Sequence, residues 1–182
     1  MKKNLLLLVT LICALSCSSS TESSLQKSID SYVKSWVEQD YIGMSIYVVP
    51  SLIEEMGGIE GFIASMEQLD EVFEQQGMKL KVSEYELETT SSPITFEEII
   101  VTVATSTLPF TMNGEEGAIY SSIFCFSEDQ GDTWFFLEAS DEGRAQMASM
   151  SPKLLQKLTI PQPRMKLGSK VMVQKNGSWA EE

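Results

Sequence analysis

Histidine and cysteine, which carry much of the acid–base and nucleophilic chemistry of enzymes, are absent or scarce in this chain. It has 182 residues with no histidine and 3 cysteines. The lack of histidine excludes Ser-His and Cys-His nucleophile pairs, imidazole metal sites and histidine-ligated haem. Carboxylates remain as candidate general acids or bases if a pocket holds them. The two carboxylates that we consider for this role are Asp40, which ends a predicted helix, and Asp132, which borders a predicted turn. We expect both to be solvated and assign no catalytic residue.

The cysteine with the most informative surroundings is Cys17. A basic start, Met1–Lys3, precedes an apolar run over residues 5–15, and Ser16 leads directly into Cys17. This is the three-part layout of a secretory signal peptide. A small residue before cysteine resembles the lipobox of bacterial lipoproteins. The resemblance implies cleavage of a signal peptide over residues 1–16 and a diacylglycerol on the Cys17 sulfur.

Two alternatives to lipidation stay open for this segment. Ala14 and Ser16 also satisfy a plain signal peptidase site with cleavage at the same bond, and the apolar run could be a membrane anchor. A span needs about 20 apolar residues, however, and the run is roughly half as long. The lipoprotein interpretation predicts a lipid-anchored protein of the bacterial cell envelope, on the periplasmic side or at the cell surface. Residues 17–24 would be a polar tether.

The remaining composition narrows the cofactors and partners. Cys13 would leave with the signal peptide, so Cys125 would be the one free thiol. One thiol is too few for an intramolecular disulfide, a zinc site or an iron–sulfur cluster. The formal net charge of −13 repels phosphate backbones and anionic headgroups. We therefore expect no metal, no cofactor and no nucleic acid partner, and a membrane attachment that depends on the lipid.

Helical periodicity dominates the first half of the chain. Apolar residues recur at helical spacing from Ser24 to about Asp40. A second helical segment over residues 42–56 is interrupted by Pro50, which kinks it or starts a new helix. Gly57-Gly58 closes that segment, and a third helix follows with Gly77 as its C-terminal stop.

After the third helix the apolar pattern changes to the period of two that is typical of strands. The predicted strands cover residues 78–88, 99–107, 118–127 and 133–139. Leu108-Pro109-Phe110 should bend the end of the second strand, and Asn113-Gly114 predicts a turn. Ser151-Pro152 should cap a short helix through Leu158. Residues 161–182 should form a polar, loosely ordered tail.

This order of elements, with Gly57-Gly58 between helices and a Trp-Phe-Phe strand at residues 134–136, resembles the NTF2-like superfamily, which includes ketosteroid isomerase. The resemblance covers residues 25–160 as one domain. It implies an α+β cone in which three N-terminal helices pack on a curved four-stranded antiparallel sheet, with a short closing helix. It also implies a pocket between the helices and the concave sheet face. Candidate lining residues are Trp36, Tyr47, Met66, Phe73, Phe124 and Phe136.

Two alternatives to a pocket in such a cone stay open. The aromatic and methionine residues at these spacings would also serve simply as packed core. Another α+β sandwich with the same helix-then-sheet order would fit the pattern of elements as well.

The segment from Ser127 to Trp134 matches the S-x-D-x-G-x-T-W pattern of the Asp-box, which caps β-hairpins in sialidases and other propellers. One copy cannot build a propeller. Sialidases also clamp a carboxylate with three arginines, whereas this chain has only Arg144 and Arg164. We therefore predict a structural turn in which Asp129 bonds turn amides, with a cation site in the loop as the alternative. The residues of that turn are Ser127, Asp129, Gly131 and Trp134.

The last predicted strand is apolar on both faces. Trp134 and Phe136 point to one face, and Phe135 and Leu137 point to the other. One face should pack on the helices, and the other is too apolar to stay bare. Its cover would be the closing helix, or a second protomer in a homodimer. The covering residues of the closing helix would be Leu154, Leu155 and Leu158.

These features predict a lipid-anchored, non-enzymatic binding module for a small apolar ligand or a protein partner. The alternative from another class is a small isomerase or hydratase that uses a pocket carboxylate. A third possibility is an accessory subunit that docks through its outer sheet face.

Overall fold

A computed structural model describes the backbone of residues 2–175 and 178–182, and the side chains of residues 20–174 and 179–182. The helices are α1 (Lys2–Glu38), α2 (Tyr41–Ser45), α3 (Pro50–Glu55), α4 (Gly58–Gln75) and α5 (Asp141–Met150). The strands are β1 (Met78–Leu80), β2 (Glu86–Thr89), β3 (Ile94–Phe96), β4 (Ile99–Met112), β5 (Glu115–Ser127), β6 (Phe135–Glu138), β7 (Arg164–Leu167), β8 (Lys170–Lys175) and β9 (Ser178–Glu181). The predicted α+β class is confirmed.

Local sequence signals explain where the N-terminal helices begin and end. The Asp40 carboxylate caps α2 by accepting a hydrogen bond from the Gly43 N–H at 2.9 Å. Pro50 occupies the first turn of α3, so it starts a new helix. Gly57 and Gly58 have φ values of 91° and 85°, which side chains with a Cβ rarely adopt. This pair therefore separates α3 from α4, as the sequence indicates.

The predicted signal peptide lies in the part of α1 whose side chains are not described. Cys17 and residues 1–16 are outside the described side chains. Within the described residues, no helix combines the length and the apolarity that a membrane span requires.

The sheet is antiparallel and is built on the long β4–β5 hairpin. These strands pair from Ile100 with Ser127 to Met112 with Glu115. The two-residue turn between them, Asn113-Gly114, has positive φ at both positions, as a type I′ hairpin requires. β1, β2 and β3 pair with the free edge of β4, while β6 and β7 pair with the free edge of β5. β8 and β9 extend the sheet beyond β7.

The prediction of four strands is wrong, because the described sheet has nine. β4 runs through Pro109, where the sequence predicted a bend. The Pro109 carbonyl accepts a hydrogen bond from the Lys81 N–H at 2.8 Å, so it points to the edge of β4 that pairs with β1 and β2. Because the nitrogen and the carbonyl of one strand residue point to the same edge, the Pro109 nitrogen also faces this edge. There the 3-10 turn Val82–Glu84 separates β1 from β2, and the missing N–H of proline breaks no ladder bond.

The structure also differs from the sequence prediction after β6. Ser140 caps α5 by accepting from the Gly143 N–H at 3.2 Å, and Ser151 ends α5 in an extended conformation. The predicted helix from Ser151-Pro152 through Leu158 is therefore wrong, and only the 3-10 turn Leu155–Lys157 forms. Gly143 and Met147 are the buried residues of α5, too few to produce a clear helical pattern.

Residues 161–182, expected to be a polar tail, carry three strands. β7 pairs with β5 from Gly117 with Leu167 to Tyr120 with Arg164. Exposed and half-buried residues alternate along β7, which is the period-two pattern of a half-covered strand.

Both faces of the sheet are covered by the chain itself. On the first face, α1 packs through Leu25, Ile29 and Tyr32 against residues such as Cys125 and Phe136. On the second face, Phe135 and Leu137 belong to a cluster that contains Leu154 at 0 % exposure, together with Leu155 and Leu158. The predicted division of the last strand between two faces, and the cover of the outer face by residues 154–158, are confirmed.

Candidate functional site

A cavity of about 210 Å³ lies between α1, α4 and the first face of the sheet. α1 lies against this face, whereas α4 contacts mainly α2, α3 and β1, so the space between the two helices is not filled. The cavity is lined by Tyr32, Trp36, Leu69, Asp70, Phe73, Leu80, Tyr85, Ser106, Leu108, Ile119, Ser121, Ile123, Phe136 and Glu138.

Aromatic rings form one side of this cavity. Trp36 stacks on Tyr85 with ring centroids 5.0 Å apart, and its plane is nearly perpendicular to that of Tyr32, at 81°. Phe136 lies 4.7 Å from Tyr32 between ring centroids, at 50°. Rings at these separations stabilise one another, so this wall is rigid.

Polar atoms are set into the aromatic wall. Burial raises the pKa of Tyr32 to about 12, and the negative charge of Glu138 contributes to the rise. Burial also raises the pKa of Tyr85 well above its ordinary value, again with a contribution from Glu138. Both hydroxyls therefore stay protonated and uncharged at neutral pH.

The indole N–H of Trp36 is the unsatisfied polar group of the site. Its Nε1 is buried and has no hydrogen-bond partner among the described residues. The Tyr32 hydroxyl is close enough for the indole to lower its pKa, but the two groups do not reach hydrogen-bond geometry. An unsatisfied buried donor is costly, so this wall is less completely satisfied than an ordinary core.

Two carboxylates, Asp70 on α4 and Glu138 on β6, belong to the lining. Asp70 accepts a hydrogen bond from the Tyr41 hydroxyl at 2.7 Å, which links α4 to α2. None of the described residues that line the cavity is basic. The site therefore combines apolar surface with a negative potential.

An open groove lies next to the cavity. It has a volume of about 670 Å³ and shares Asp70, Phe73 and Leu80 with the cavity, so α4 and β1 border both spaces. The outer part of the groove includes Glu74 and Lys79. A small molecule could reach the cavity from solvent by this route.

Three of the six predicted lining residues, Trp36, Phe73 and Phe136, line the cavity. Tyr47 lies behind it and stacks on Phe136 with centroids 5.6 Å apart. Met66 on α4 is half-buried and is not part of the lining.

Phe124 is buried on the opposite face of the sheet. Residues alternate between faces along a strand, and its neighbours Ile123 and Cys125 belong to the first face. Phe124 therefore cannot share a pocket with Phe136.

Sequence reasoning missed Tyr32 and Tyr85 as lining residues. Tyr32 precedes Trp36 by one helical turn, so the two must share a face of α1, and this spacing could have identified it. Tyr85 follows a 3-10 turn that was predicted as continuous strand, which concealed the direction of its side chain.

The two carboxylates considered as acid–base candidates, and expected to be solvated, lie outside the cavity. Asp40 is exposed and caps α2. Asp132 is exposed in the loop before β6. Neither lines the cavity, so they do not form an acid–base site there.

The Asp-box-like segment forms a closed hydrogen-bonded turn. Ser127 Oγ donates to Asp129 Oδ1 at 2.8 Å and accepts from the Gly131 N–H at 2.8 Å. Asp129 Oδ1 also accepts from the Thr133 N–H at 2.8 Å. Bonds from the backbone and hydroxyl of Thr133, followed by that from Ser127, lower the pKa of Asp129 to about 2. The geometry is that of a structural turn.

This turn also anchors α1. The Trp134 indole N–H points to the Gly131 carbonyl at 3.1 Å and to Ser24 Oγ at 3.2 Å. The Ser24 hydroxyl in turn donates to the Gly131 carbonyl. Trp134 is buried against α1 with Leu25 and Ile29. The position of α1, and with it one wall of the cavity, depends on this contact.

A wide groove beside the turn is strongly acidic. Its lining includes Glu22, Glu97, Glu98 and Glu128. No group of metal-ligating side chains close enough to hold an ion occurs among the described residues. Cys125 is fully buried on the first face, and burial raises the pKa of its thiol well above the ordinary value.

In comparisons with known proteins, the chain matches no protein-family model, no curated protein and no solved structure.

Proposed function

We propose that this protein is a non-enzymatic binding module that holds a small apolar ligand in the cavity between α1, α4 and the sheet. The observation that carries the proposal is the 210 Å³ space itself, walled by five aromatic rings and aliphatic side chains and bordered by an open groove. Binding sites for small molecules are concave and largely apolar, with few polar groups. The unsatisfied Trp36 N–H and the two tyrosine hydroxyls are such groups.

An isomerase or hydratase is the alternative for the same cavity. It would need a carboxylate that exchanges a proton with the ligand. Asp70 and Glu138 are the carboxylates of the lining, but Asp70 already bonds Tyr41 and Glu138 is exposed. Since neither is enclosed with the rings, the arrangement favours binding over acid–base chemistry.

An NTF2-like relationship is also part of the proposal. It is supported by helices that precede an antiparallel sheet and by a cavity between them. The extra strands β7–β9 and the covered second face depart from a simple four-stranded cone. They would be additions to the shared core of such a fold.

Attachment to a bacterial membrane through lipidated Cys17 is the third part of the proposal. The lipobox-like sequence supports it, and α1 is hydrogen-bonded to the turn after β5 at Ser24, seven residues after Cys17. A Cys17→Ser variant should lose acyl labelling and leave the membrane fraction. Unchanged labelling and unchanged detergent partitioning would contradict lipid attachment.

The ligand-binding proposal can be tested by filling the cavity. Leu69 and Val72 both lie on α4 with 41 % and 39 % exposure, but only Leu69 lines the cavity. Leu69→Trp should lower occupancy by a co-purified small molecule at least about tenfold, because the larger ring enters the ligand's space. Val72→Trp is the matched control and should leave occupancy unchanged.

Native mass spectrometry of the full chain in a maltoside detergent measures this occupancy directly. Equal occupancy in both variants would place the ligand elsewhere and contradict the proposed site.

A second candidate function is docking of a protein partner through α2. Ile42 and Ile46 lie one helical turn apart and are 61 % and 64 % exposed, which is unusual for paired isoleucines. If this face is an interface between two copies of the chain, the double variant Ile42→Ser with Ile46→Ser should have a lower mass than the parent protein in sedimentation analysis. A monomeric parent protein with an unchanged mass in the variant would remove this candidate.

A further inference from the structure

The cavity brings aromatic rings and carboxylates together without a basic residue. From this juxtaposition, and resting on the proposed function, we propose that the ligand is a small organic cation with an apolar body and an acceptor oxygen for the Trp36 N–H, such as a hydroxyalkyl quaternary ammonium ion. The rings would contact its apolar groups and its charge, and Asp70 and Glu138 would balance that charge.

The ring geometry suits a compact cation. Trp36 and Tyr85 lie at 25° to each other, Tyr32 lies at 81° to Trp36, and Phe136 is inclined to Tyr32 by 50°. Ring planes at several inclinations therefore border one small volume. A cation is attracted to a ring face within about 6 Å of its centroid, most strongly to tryptophan. These rings are in contact with one another, with centroids 4.7 to 6.5 Å apart, so a cation would lie beside the cluster in the cavity and within range of more than one ring.

The charge distribution selects against other ligand classes. The negative charge of Glu138 acts on the hydroxyls of both Tyr32 and Tyr85, where it raises their pKa values in addition to the effect of burial. The charge of this rim residue therefore acts on groups of the cavity wall. Among the described lining residues there is no lysine or arginine to neutralise it. An anionic ligand would be repelled, and a neutral one would gain nothing from the two carboxylates.

The size of the cavity limits the cation to a compact one. A cavity of about 150 Å³ can hold benzene, and drug-sized ligands occupy pockets of about 300–1,000 Å³. At about 210 Å³, this cavity fits a trimethylammonium or single-ring compound, whereas a sterol or a long acyl chain would have to extend into the adjoining groove. The adjoining groove carries two carboxylates, Asp70 and Glu74, and one lysine, Lys79, so its net negative charge would still attract a cation towards the cavity.

Three compounds of nearly equal shape separate charge from hydrophobicity. Choline is the cation, 3,3-dimethylbutan-1-ol is its neutral carbon analogue, and 3,3-dimethylbutanoate is an anion of similar size. We would titrate each into the full chain in a maltoside detergent, which has no ammonium group, and measure binding by calorimetry at constant ionic strength. Choline should bind roughly tenfold more tightly than the alcohol, and the carboxylate should not bind.

The possible outcomes distinguish this inference from the function on which it rests. If the alcohol binds as tightly as choline, the cavity is an apolar site, and the cation inference is wrong while the proposed function stands. If the anion binds most tightly, the inference is also wrong. If none of the three binds, both the inference and the proposed small-ligand function are contradicted.

Charge-neutralising variants test whether the preference for choline comes from the two carboxylates of the cavity. Glu138→Gln and Asp70→Asn should each weaken choline binding by about threefold or more and leave the binding of the alcohol unchanged. Both positions are at the rim, so these variants should fold even if a Trp36 variant does not. Glu88→Gln is the matched control, because Glu88 is an exposed carboxylate on β2 that does not line the cavity. Equal choline affinity in all three variants would overturn the role of the two carboxylates.

Discussion

The two faces of the sheet are covered by the same chain but packed in different ways. On the second face, the cluster of aliphatic residues and phenylalanine around Phe124 is densely packed, with Val101, Phe124, Met147 and Leu154 all at 0 % exposure. On the first face, tyrosine and tryptophan replace many of these residues, and a 210 Å³ cavity remains under α4. Tyrosine and tryptophan bring polar groups that need partners. The cluster that carries such groups is also the cluster that borders a cavity, and we expect binding there.

Two leucine-to-alanine substitutions would test this difference most strongly. Leu154→Ala in the dense cluster of the second face should lower the free energy of unfolding by about 3 kcal/mol, because it leaves a cavity in that packing. Leu69→Ala at the cavity of the first face should cost less than about 1 kcal/mol, since that side chain is already 41 % exposed. Urea denaturation of both variants measures the two costs. Equal costs would mean that the faces are packed alike.

The Asp-box-like turn should show an intermediate effect. Asp129→Ala removes the acceptor for Ser127 and Thr133 and should lower the free energy of unfolding by about 1 kcal/mol. The loss should be similar with and without ligand, because the turn positions α1 without touching the cavity. A loss of ligand binding at full stability would instead make this loop part of a site.

The same turn predicts a dependence on pH. The folded-state pKa of Asp129 is lowered from 3.8 to about 2, so its contribution to stability is present above about pH 4 and is lost as the pH falls towards 2. Asp129→Asn keeps an acceptor oxygen but cannot titrate. The variant should therefore show a smaller drop in stability between pH 4 and pH 2 than the parent chain. An identical drop in both would contradict the assigned pKa.

The smallest expected effect is the reaction of Cys125 with a thiol reagent. This residue lies on the first face, beneath the cavity wall. The side chain is at 0 % exposure and burial raises its pKa, so a thiol reagent should not modify it in the folded protein. Modification should become complete in denaturant. Rapid labelling of the native chain at neutral pH would show that the first face opens down to the sheet.

Much of this architecture could be predicted from the sequence, because strong local signals determine it. Helical periodicity with Pro50 and Gly57-Gly58 located the helical region, and Asn113-Gly114 located the central hairpin. The Asp-box-like pattern located its turn, and alternation along residues 134–137 assigned them to two faces. Each of these depends on neighbours in the chain rather than on distant contacts.

The remaining features depend on tertiary contacts that local patterns do not encode. Pro109 continues β4 only because the opposing chain leaves the ladder at Val82–Glu84. β7 is stabilised by pairing with β5, which a polar composition conceals. Phe124 was grouped with Phe136 because the residue types are alike, although their register in β5 and β6 places them on opposite faces. Half of the predicted pocket residues were therefore misplaced.

The central claim is that a small molecule binds between α1, α4 and the sheet. The most direct test is a nuclear Overhauser measurement on the purified full chain with bound ligand, either co-purified or choline. The claim predicts contacts from the ligand to ring protons of Tyr32, Tyr85 and Phe136 and to the methyl groups of Leu69. Contacts only to Ile42 on α2 and to Ile46 directly after it, or none to the cavity residues, would contradict it.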